Sequence, residues 1–327
     1  MYKVSVIIPI YKVENFIAKC AASLFEQTLT DIEYIFVDDA TPDHSMEVLQ
    51  QVLNSYPNRQ TQVKIIAHDK NKGLPAARNT GLEIASGEYI FHCDSDDFVE
   101  LDMMEQLYNN AVESQADIVW CDWFLTFEEN ERYMKQPFFS TSLEALKAML
   151  GGGMKYNVWN KLVKRSLYKE NGIVFPSGYG MGEDMTMMML FAYAKKVKYV
   201  PKAFYHYIKF NTTAFTHDIS EKHLESLQYN VQRLSKFIKE NFGHELDKEL
   251  AFLKLEAKFP FLVVGSSHKL YYLWQEWFPE ANSYIWQNRN ISFRSKFIQW
   301  CASKKIFIIV RLHYYCVIKL IYGIIYR

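Results

Sequence analysis

No aspartate or glutamate follows Glu280, although eight basic residues do: Arg289, Arg294, Lys296, Lys304, Lys305, Arg311, Lys319 and Arg327. A stretch of one sign faces either bulk water or something anionic. None of the five cysteines (Cys20, Cys93, Cys121, Cys301, Cys316) falls in a C-x-x-C pair or at metal-ligand spacing, which fits a reducing compartment. No leader of basic, apolar and small residues precedes the first strand-like run, so a cytoplasmic location is expected. No run of about 18 uncharged apolar residues occurs. The nearest, Ile306 to Ile325, is broken by Arg311, His313 and Lys319, which disfavours a membrane span and leaves a surface contact open.

What remains is ample for a core: 49% of the 327 residues are hydrophobic, 16% are aromatic, and the formal net charge is zero. Val4 to Ile10 is short, β-branched and almost continuously apolar, as in a strand covered on both faces of a parallel sheet, with Pro9 expected near its end. Phe16, Cys20 and Leu24, beside Ile17 and Ala21, predict a helix over Val13 to Gln27. A second strand, Ile32 to Val37, runs into the turn Thr41-Pro42-Asp43 and a helix marked by Met46, Leu49, Val52, Leu53 and Tyr56. Val63 to Ala67 is a third strand, and Asn71-Lys72-Gly73 leads to a helix over Leu74 to Ala85, stopped by Ser86-Gly87. This alternation predicts a parallel doubly wound sheet with right-handed crossovers over residues 1 to about 110.

Further on, Ile118 to Trp123 reads as a strand and Val158 to Tyr168 as a helix, and Gly178 to Asp184 is a glycine-rich approach to a helix over Met185 to Ala194. From Glu221 the apolar residues Leu224, Leu227, Val231, Leu234, Ile238 and Phe242 keep steps of three and four, and strand signals cease. Pro260 is expected to end or kink a helix within Leu250 to Val264.

The chemistry concentrates where the strand-like run Glu88 to Phe91 ends in three carboxylates, Asp94, Asp96 and Asp97. Three acids within four residues repel one another unless water, a cation or hydrogen-bond donors offset the charge. In an open α/β sheet, ligands sit beyond the carboxyl ends of the strands, which is where these acids lie. Asp97 is the one expected to cap the helix starting near Leu101. Glu183 and Asp184, at the start of a later helix, suit either dipole complementarity or a catalytic carboxylate.

Four segments, Val4 to Tyr11, Phe36 to Asp43, Asn71 to Asn79 and Gly87 to Asp97, resemble in order the family 2 glycosyltransferases, nucleotide-sugar enzymes of the GT-A fold. The resemblance returns at Trp159-Asn160-Lys161 and Gly182-Glu183-Asp184. It implies a Rossmann-like, mostly parallel α/β sheet flanked by helices as the catalytic domain over residues 1–218, with a nucleotide-binding half 1–110 and an acceptor half 111–218. A helical region with a basic amphipathic end, 219–327, follows.

By the same resemblance, Pro9 and Tyr11 line the base and ribose pocket, Asp39 accepts a hydrogen bond from the base, and Asp38 braces the loop. Asn71 and Arg78 approach the nucleotide, with Arg78 offering its donors to the sugar or diphosphate. Asp94-Ser95-Asp96 corresponds to a D-x-D motif: Asp96 is the metal ligand, for Mn²⁺ or Mg²⁺, and Asp94 reaches ribose or a metal-bound water. Asp184 corresponds to the catalytic base, with Glu183 as its neighbour and runner-up. Lys209 and His206 are candidates to grip the diphosphate within Tyr205 to Thr213, and His206 reads better as structural. The implied activity is inverting sugar transfer from a nucleotide-diphosphate donor, a UDP-sugar, to a hydroxyl of a glycan or lipid-linked acceptor in bacterial surface polysaccharide synthesis. The alternatives are a nucleotidyltransferase and an inactive nucleotide-sugar-binding subunit. The first lacks its glycine-rich basic phosphate loop, since Pro9-Ile10-Tyr11-Lys12 stands there. An anionic membrane surface is a second expected partner of the C-terminal region, set against a helix packed on the catalytic domain. No nucleic-acid partner is expected.

Overall fold

The computed structural model describes residues 2–209, 220–265 and 267–325, with side chains as far as Leu320. The candidate residues Phe210 to Thr213 and the expected boundary near Asp218 lie outside the described residues. The chain falls into two compact units, Met1–Leu146 with Tyr156–Asn230, and Lys147–Lys155 with Val231–Arg327.

The first unit begins as a run of strand and helix: β1 (Val4–Ile10), α1 (Ile17–Phe25), β2 (Ile32–Asp38), α2 (Ser45–Asn54), β3 (Val63–Ala67), α3 (Leu74–Ile84) and β4 (Tyr89–His92). It continues through β5 (Phe98–Val99), α4 (Met103–Ser114), β6 (Ile118–Thr126), β7 (Glu131–Met134), α5 (Ser142–Leu150, of which Lys147–Leu150 count with the second unit), β8 (Lys161–Lys164), α6 (Arg165–Glu170), α7 (Thr186–Tyr193) and β9 (Val197–Ile208). The strands form one mixed sheet in the order β3-β2-β1-β4-β8-β6-β9-β5, with β7 on β6. The first four are parallel, β8 runs antiparallel between β4 and β6, and β9 is parallel to β6.

Every residue of β1 is buried, as its unbroken apolar run requires. Pro9 sits one residue before the end of the strand. The Ile7 carbonyl faces β4 and the Ile10 carbonyl faces β2, so the missing amide of Pro9 falls on the β4 side, beyond the last β1–β4 pair at Ile7 and His92. Below, the fully buried Glu33 ties the parallel strands together. It accepts hydrogen bonds from Ser5 Oγ at 2.6 Å and from Ser86 N and Oγ at 2.9 Å, and pairs with Lys64. Burial alone would raise its pKa, and these donors outweigh that and lower it.

The expected helix over Val158 to Tyr168 is corrected to β8 followed by α6. Leu162 pairs with Phe91 on one side and Val119 on the other, so two strand edges claim a segment whose local spacing suits a helix. The strand expected at Ile118 is present and extends to Thr126.

The helix α8 (Glu221–Phe242) belongs to the first unit through Asn230 and to the second from Val231. The second unit continues with α9 (Asp247–Lys258), α10 (His268–Glu276), α11 (Phe293–Ser303) and α12 (Phe307–His313), extended by wider π-type turns over Tyr314–Ile325. Pro260 follows the end of α9 inside the 3₁₀ turn Phe259–Leu262, as expected. Buried Lys258 anchors this unit: Nζ donates to Trp277 O at 2.7 Å and Asn282 Oδ1 at 2.8 Å and lies 4.0 Å from the Trp274 ring centroid.

Gly87 opens β4 against the β1 backbone, where an added Cβ would stand 2.6 Å from Ser5 N and 2.8 Å from Val4 C. Gly87→Ala is therefore expected to destabilise the fold by about 1–3 kcal/mol, read as a lower melting temperature by circular dichroism. An unchanged melting temperature would contradict this packing.

Candidate active site

Two loops at the carboxyl ends of β1 and β2 are laced together. Lys12 N donates to Thr41 Oγ1 at 2.8 Å, Val13 N to Ser45 Oγ at 3.0 Å and Glu14 N to Asp43 Oδ2 at 3.1 Å. Asp43 also accepts from the hydroxyls of Thr41 and Ser45 at 2.7 and 2.6 Å. Burial opposes its ionisation, but these donors hold the carboxyl below its ordinary range. Lys12 and Ala40 adopt positive φ, 56° and 54°, at the tips of the two turns. Tyr11 is thereby presented outward, 42% exposed, while Pro9 is buried beneath it in β1.

Asp38 braces its turn by accepting from Thr41 N at 2.8 Å. Asp39 is buried and serves the neighbouring loop: Oδ1 accepts from His68 Nδ1 and Lys72 N, both at 2.7 Å, and Oδ2 from Gly73 N at 2.8 Å. One acceptor position on Oδ2 remains for another donor. His68 is held from its far side by Thr80 Oγ1, 2.9 Å from Nε2. These bonds fix the turn in which exposed Asn71 lies and from which α3 departs at Gly73, φ 87°.

Arg78, one turn into α3, is 1% exposed. Its Nη2 donates to Asp94 Oδ1 at 3.0 Å and lies 3.7 Å from Glu183 Oε1. Nε and Nη1 are buried and find no hydrogen-bond partner among the described residues. Burial would release its proton more easily, but Asp94, Glu183 and Asp184 more than offset this and raise the pKa. Arg78 is thus a permanent cation, paired through Nη2 and with two desolvated donors not used by the described residues.

Beyond β4, Ser95 is buried and Asp94 and Asp96 are half-buried. The helix-cap reading of Asp97 is corrected: α4 begins at Met103, and Asp97 is 1% exposed and bonded to β9. Asp97 Oδ2 accepts from the Tyr205 hydroxyl at 2.7 Å and Oδ1 from Ile208 N at 2.8 Å. The same hydroxyl accepts from Asp94 N at 3.1 Å, so one phenol braces both ends of the acidic turn. Trp159 stacks on Tyr205 at 4.5 Å and on Tyr207 at 5.3 Å. His206, on the opposite face of β9, contacts Glu131 at 2.7 Å and Glu100 at 2.9 Å and stacks on Phe98, which is a structural placement. Lys209 is exposed, with Nζ 5.0 Å from the Tyr207 ring centroid.

The second acidic pair arrives on a turn, Glu183–Met185, entered through Gly182 at φ 86°. Two asparagines hold its approach. Asn79 of α3 exchanges two 2.8 Å hydrogen bonds with the Phe175 backbone, and Asn230 of α8 donates to Tyr179 O at 3.1 Å and Met181 O at 3.0 Å. Asp184 Oδ1 is buried without a hydrogen-bond partner among the described residues. Burial raises the Asp184 pKa to about 6, against the pull of Arg78 and Lys161. Burial and the charge of Asp184 push Glu183 well above its ordinary value, so the two carboxyls resist ionising together. Lys161 is buried, donates to Asn157 O at 2.7 Å and Asn160 Oδ1 at 2.8 Å, and is lowered to about 7 by burial.

Thus Arg78, Asp94, Glu183 and Asp184 converge, while Pro9, Tyr11, Asp39 and Asn71 sit on the neighbouring loops of β1, β2 and α3. The bracing residues Asp43, His68, Asn79, Lys161, Tyr205 and Asn230 were given no site role from sequence; for Asn79, Tyr205 and Asn230 the partners lie far along the chain. Among the described residues no group of three or more His, Cys, Asp or Glu is placed to hold a metal ion.

The architecture is that of a GT-A-like glycosyltransferase. The crystal structure of S. aureus TarS 1-349 in complex with UDP-GlcNAc superposes with a TM-score of 0.71, covering 96% of this chain and 91% of that one at 19% identity. The chain belongs to glycosyl transferase family 2, whose pattern matches residues 5–185. It is 34% identical over 212 residues to the uncharacterized glycosyltransferase EpsJ of Bacillus subtilis, covering 62% of this chain and 60% of that protein. It is 35% identical over 209 residues to the poly(ribitol-phosphate) beta-glucosyltransferase of Bacillus spizizenii, covering 63% of this chain and 32% of that protein.

A carboxyl whose pKa is raised by folding destabilises the fold when ionised. That penalty is absent below the unfolded value, grows as pH rises, and is complete above about 6. Asp184→Asn is therefore expected to stabilise the protein at pH 7 by on the order of 1–3 kcal/mol, with the gain vanishing toward pH 4. Urea unfolding at the two pH values measures it, and a destabilised variant at pH 7 would contradict the burial argument.

Proposed function

We propose that this chain transfers a sugar, with inversion, from a nucleotide-diphosphate donor to a hydroxyl of a glycan or lipid-linked acceptor in bacterial surface polysaccharide synthesis. The observation that carries the reading is Arg78, whose two unpartnered buried donors suit the oxygens of a sugar diphosphate. The UDP-GlcNAc held by TarS and the polymer named for the Bacillus spizizenii relative support a UDP-sugar and a surface polymer.

In this reading Pro9 and Tyr11 line the base and ribose, the remaining acceptor position of Asp39 meets the base, and Asn71 borders the nucleotide. Asp96 holds a divalent cation, and Asp94, while paired with Arg78, reaches ribose or a metal-bound water. The available donors are carboxylate oxygens with Ser95 beside them. They suit Mg²⁺ or Mn²⁺, which such proteins hold through one or two carboxylates while phosphates and water complete the shell. The cation, when bound, neutralises charge on the departing diphosphate. Arg78 shares that load. Asp184 accepts the proton of the acceptor hydroxyl as it attacks the anomeric carbon opposite the diphosphate, and its pKa of about 6 leaves it ionised yet basic at neutral pH. Glu183, raised by burial and by the charge of Asp184, opposes a second charge beside it. The unpartnered oxygen of Asp184 leaves an acceptor open to the attacking hydroxyl.

A hydrolysis screen over UDP-, GDP- and dTDP-sugars tests the assignment. The expected products are free sugar and UDP; formation of UTP and sugar 1-phosphate when pyrophosphate is added, with no UDP released in its absence, would identify a nucleotidyltransferase instead. With the active donor, Asp184→Asn is expected to lower kcat by roughly 10²–10⁴ while UDP binding survives. Asp96→Asn is expected to lose turnover with the fold intact, and full activity at saturating Mn²⁺ would end the metal assignment. The wild-type rate is expected to fall as pH drops through about 6, because Asp184 is then protonated.

A further inference from the structure

The last helices of the second unit carry a surface that water does not suit. In α12 Val310 is fully buried, whereas Ile308 is 78% exposed and Leu312 61%, and Tyr315 and Leu320 beyond it are 42% and 52% exposed. Ile308, Leu312 and Tyr315 are spaced by four and three, which places them on one helical stripe. Arg311 and Lys319 flank the same stripe, at 5.9 and 5.8 Å from the Tyr315 ring centroid. Lys304 and Lys305, in the turn before α12, are exposed as well. No acid follows Glu280, so the stripe holds apolar and cationic groups and no counter-charge of its own.

A solvated helix face ordinarily mixes both signs with few large apolar residues. Self-association would bring this cationic stripe against another copy of itself, and like charges disfavour that pairing. An anionic bilayer satisfies both features at once: aliphatic side chains enter the acyl boundary, a tyrosine sits at headgroup depth, and Lys and Arg reach the phosphates. Among the described residues no helix is long and apolar enough to cross a membrane, so contact along the surface is the available geometry.

We propose that the stripe Ile308, Arg311, Leu312, Tyr315 and Lys319 docks this chain flat on an anionic lipid bilayer. The inference deepens the lipid-linked acceptor reading but rests on surface chemistry alone, so it stands or falls separately from the transfer assay.

Co-sedimentation of the full chain with vesicles tests it, using phosphatidylcholine alone and phosphatidylcholine with phosphatidylglycerol. Two double variants are compared, Ile308→Ser with Leu312→Ser and Arg311→Glu with Lys319→Glu. The wild type is expected to bind the anionic vesicles at least tenfold more tightly than the neutral ones, with added salt weakening it. Each double variant is expected to lose at least tenfold while melting as the wild type does. The charge reversal changes only exposed side chains, so it reports on docking even if the apolar variant unfolds. Equal binding to both vesicle types, or undiminished binding by the charge-reversal variant, would overturn the proposal. So would a wild type that ignores vesicles and instead forms a dimer that the variants dissolve.

Discussion

A guanidinium withdrawn almost wholly from water is the element on which the site depends. Arg78 leaves α3 and meets Asp94 from the end of β4 and Glu183 from the acidic turn, with Asp184 within its field. Carboxylates from two distant segments could not share a desolvated space without such a cation, because unpaired buried charges cost several kcal/mol each. Its permanence matters: an ammonium in this setting would surrender its proton, as the lowered pKa of Lys161 nearby illustrates. The convergence of the acids from the end of β4 and from the turn at Glu183 is therefore a consequence of one side chain whose charge cannot be titrated away.

The scaffold spends its rigidity in the same place. Parallel strands β3-β2-β1-β4 deliver their carboxyl ends to one edge, and side-chain hydrogen bonds from Asp39, Asp43, Asn79, Tyr205 and Asn230 fix the loops that follow. Most of these braces bond backbone donors or acceptors, so the loops hold a fixed geometry without regular structure. Arg78 Nε and Nη1 and Asp184 Oδ1 are among the buried polar atoms without a hydrogen-bond partner among the described residues, as are Asn230 Oδ1 and His92 Nδ1 beside the same loops.

The parallel half was legible in the sequence because a strand covered on both faces, such as Val4 to Ile10, reads as an unbroken apolar run. Val63 to Ala67, an edge strand interrupted by Lys64 and largely exposed, shows instead through its β-branched residues. The antiparallel half was not. The strand β8 was taken for helix, and β5, β7 and β9 went unrecognised; β5 and β7 are too short to carry a pattern, and all of them rest on pairing with neighbours that local pattern does not contain. The candidate site divides similarly. Arg78, Asp94, Asp96 and Asp184 could be named from motifs, but Asp97 was miscast as a cap because its partners, Tyr205 and Ile208, lie more than a hundred positions away. Burial, which raises the proton affinities of both Glu183 and Asp184, has no local signature at all.

The central claim is that Arg78 is held ready for a nucleoside diphosphate. Calorimetric titration of UDP, with Mn²⁺ present, into wild type and Arg78→Met tests it most directly. The account predicts binding by the wild type and at least tenfold weaker binding by the folded variant, a loss of about 1.4 kcal/mol or more. Equal affinity of the two proteins for UDP would contradict it.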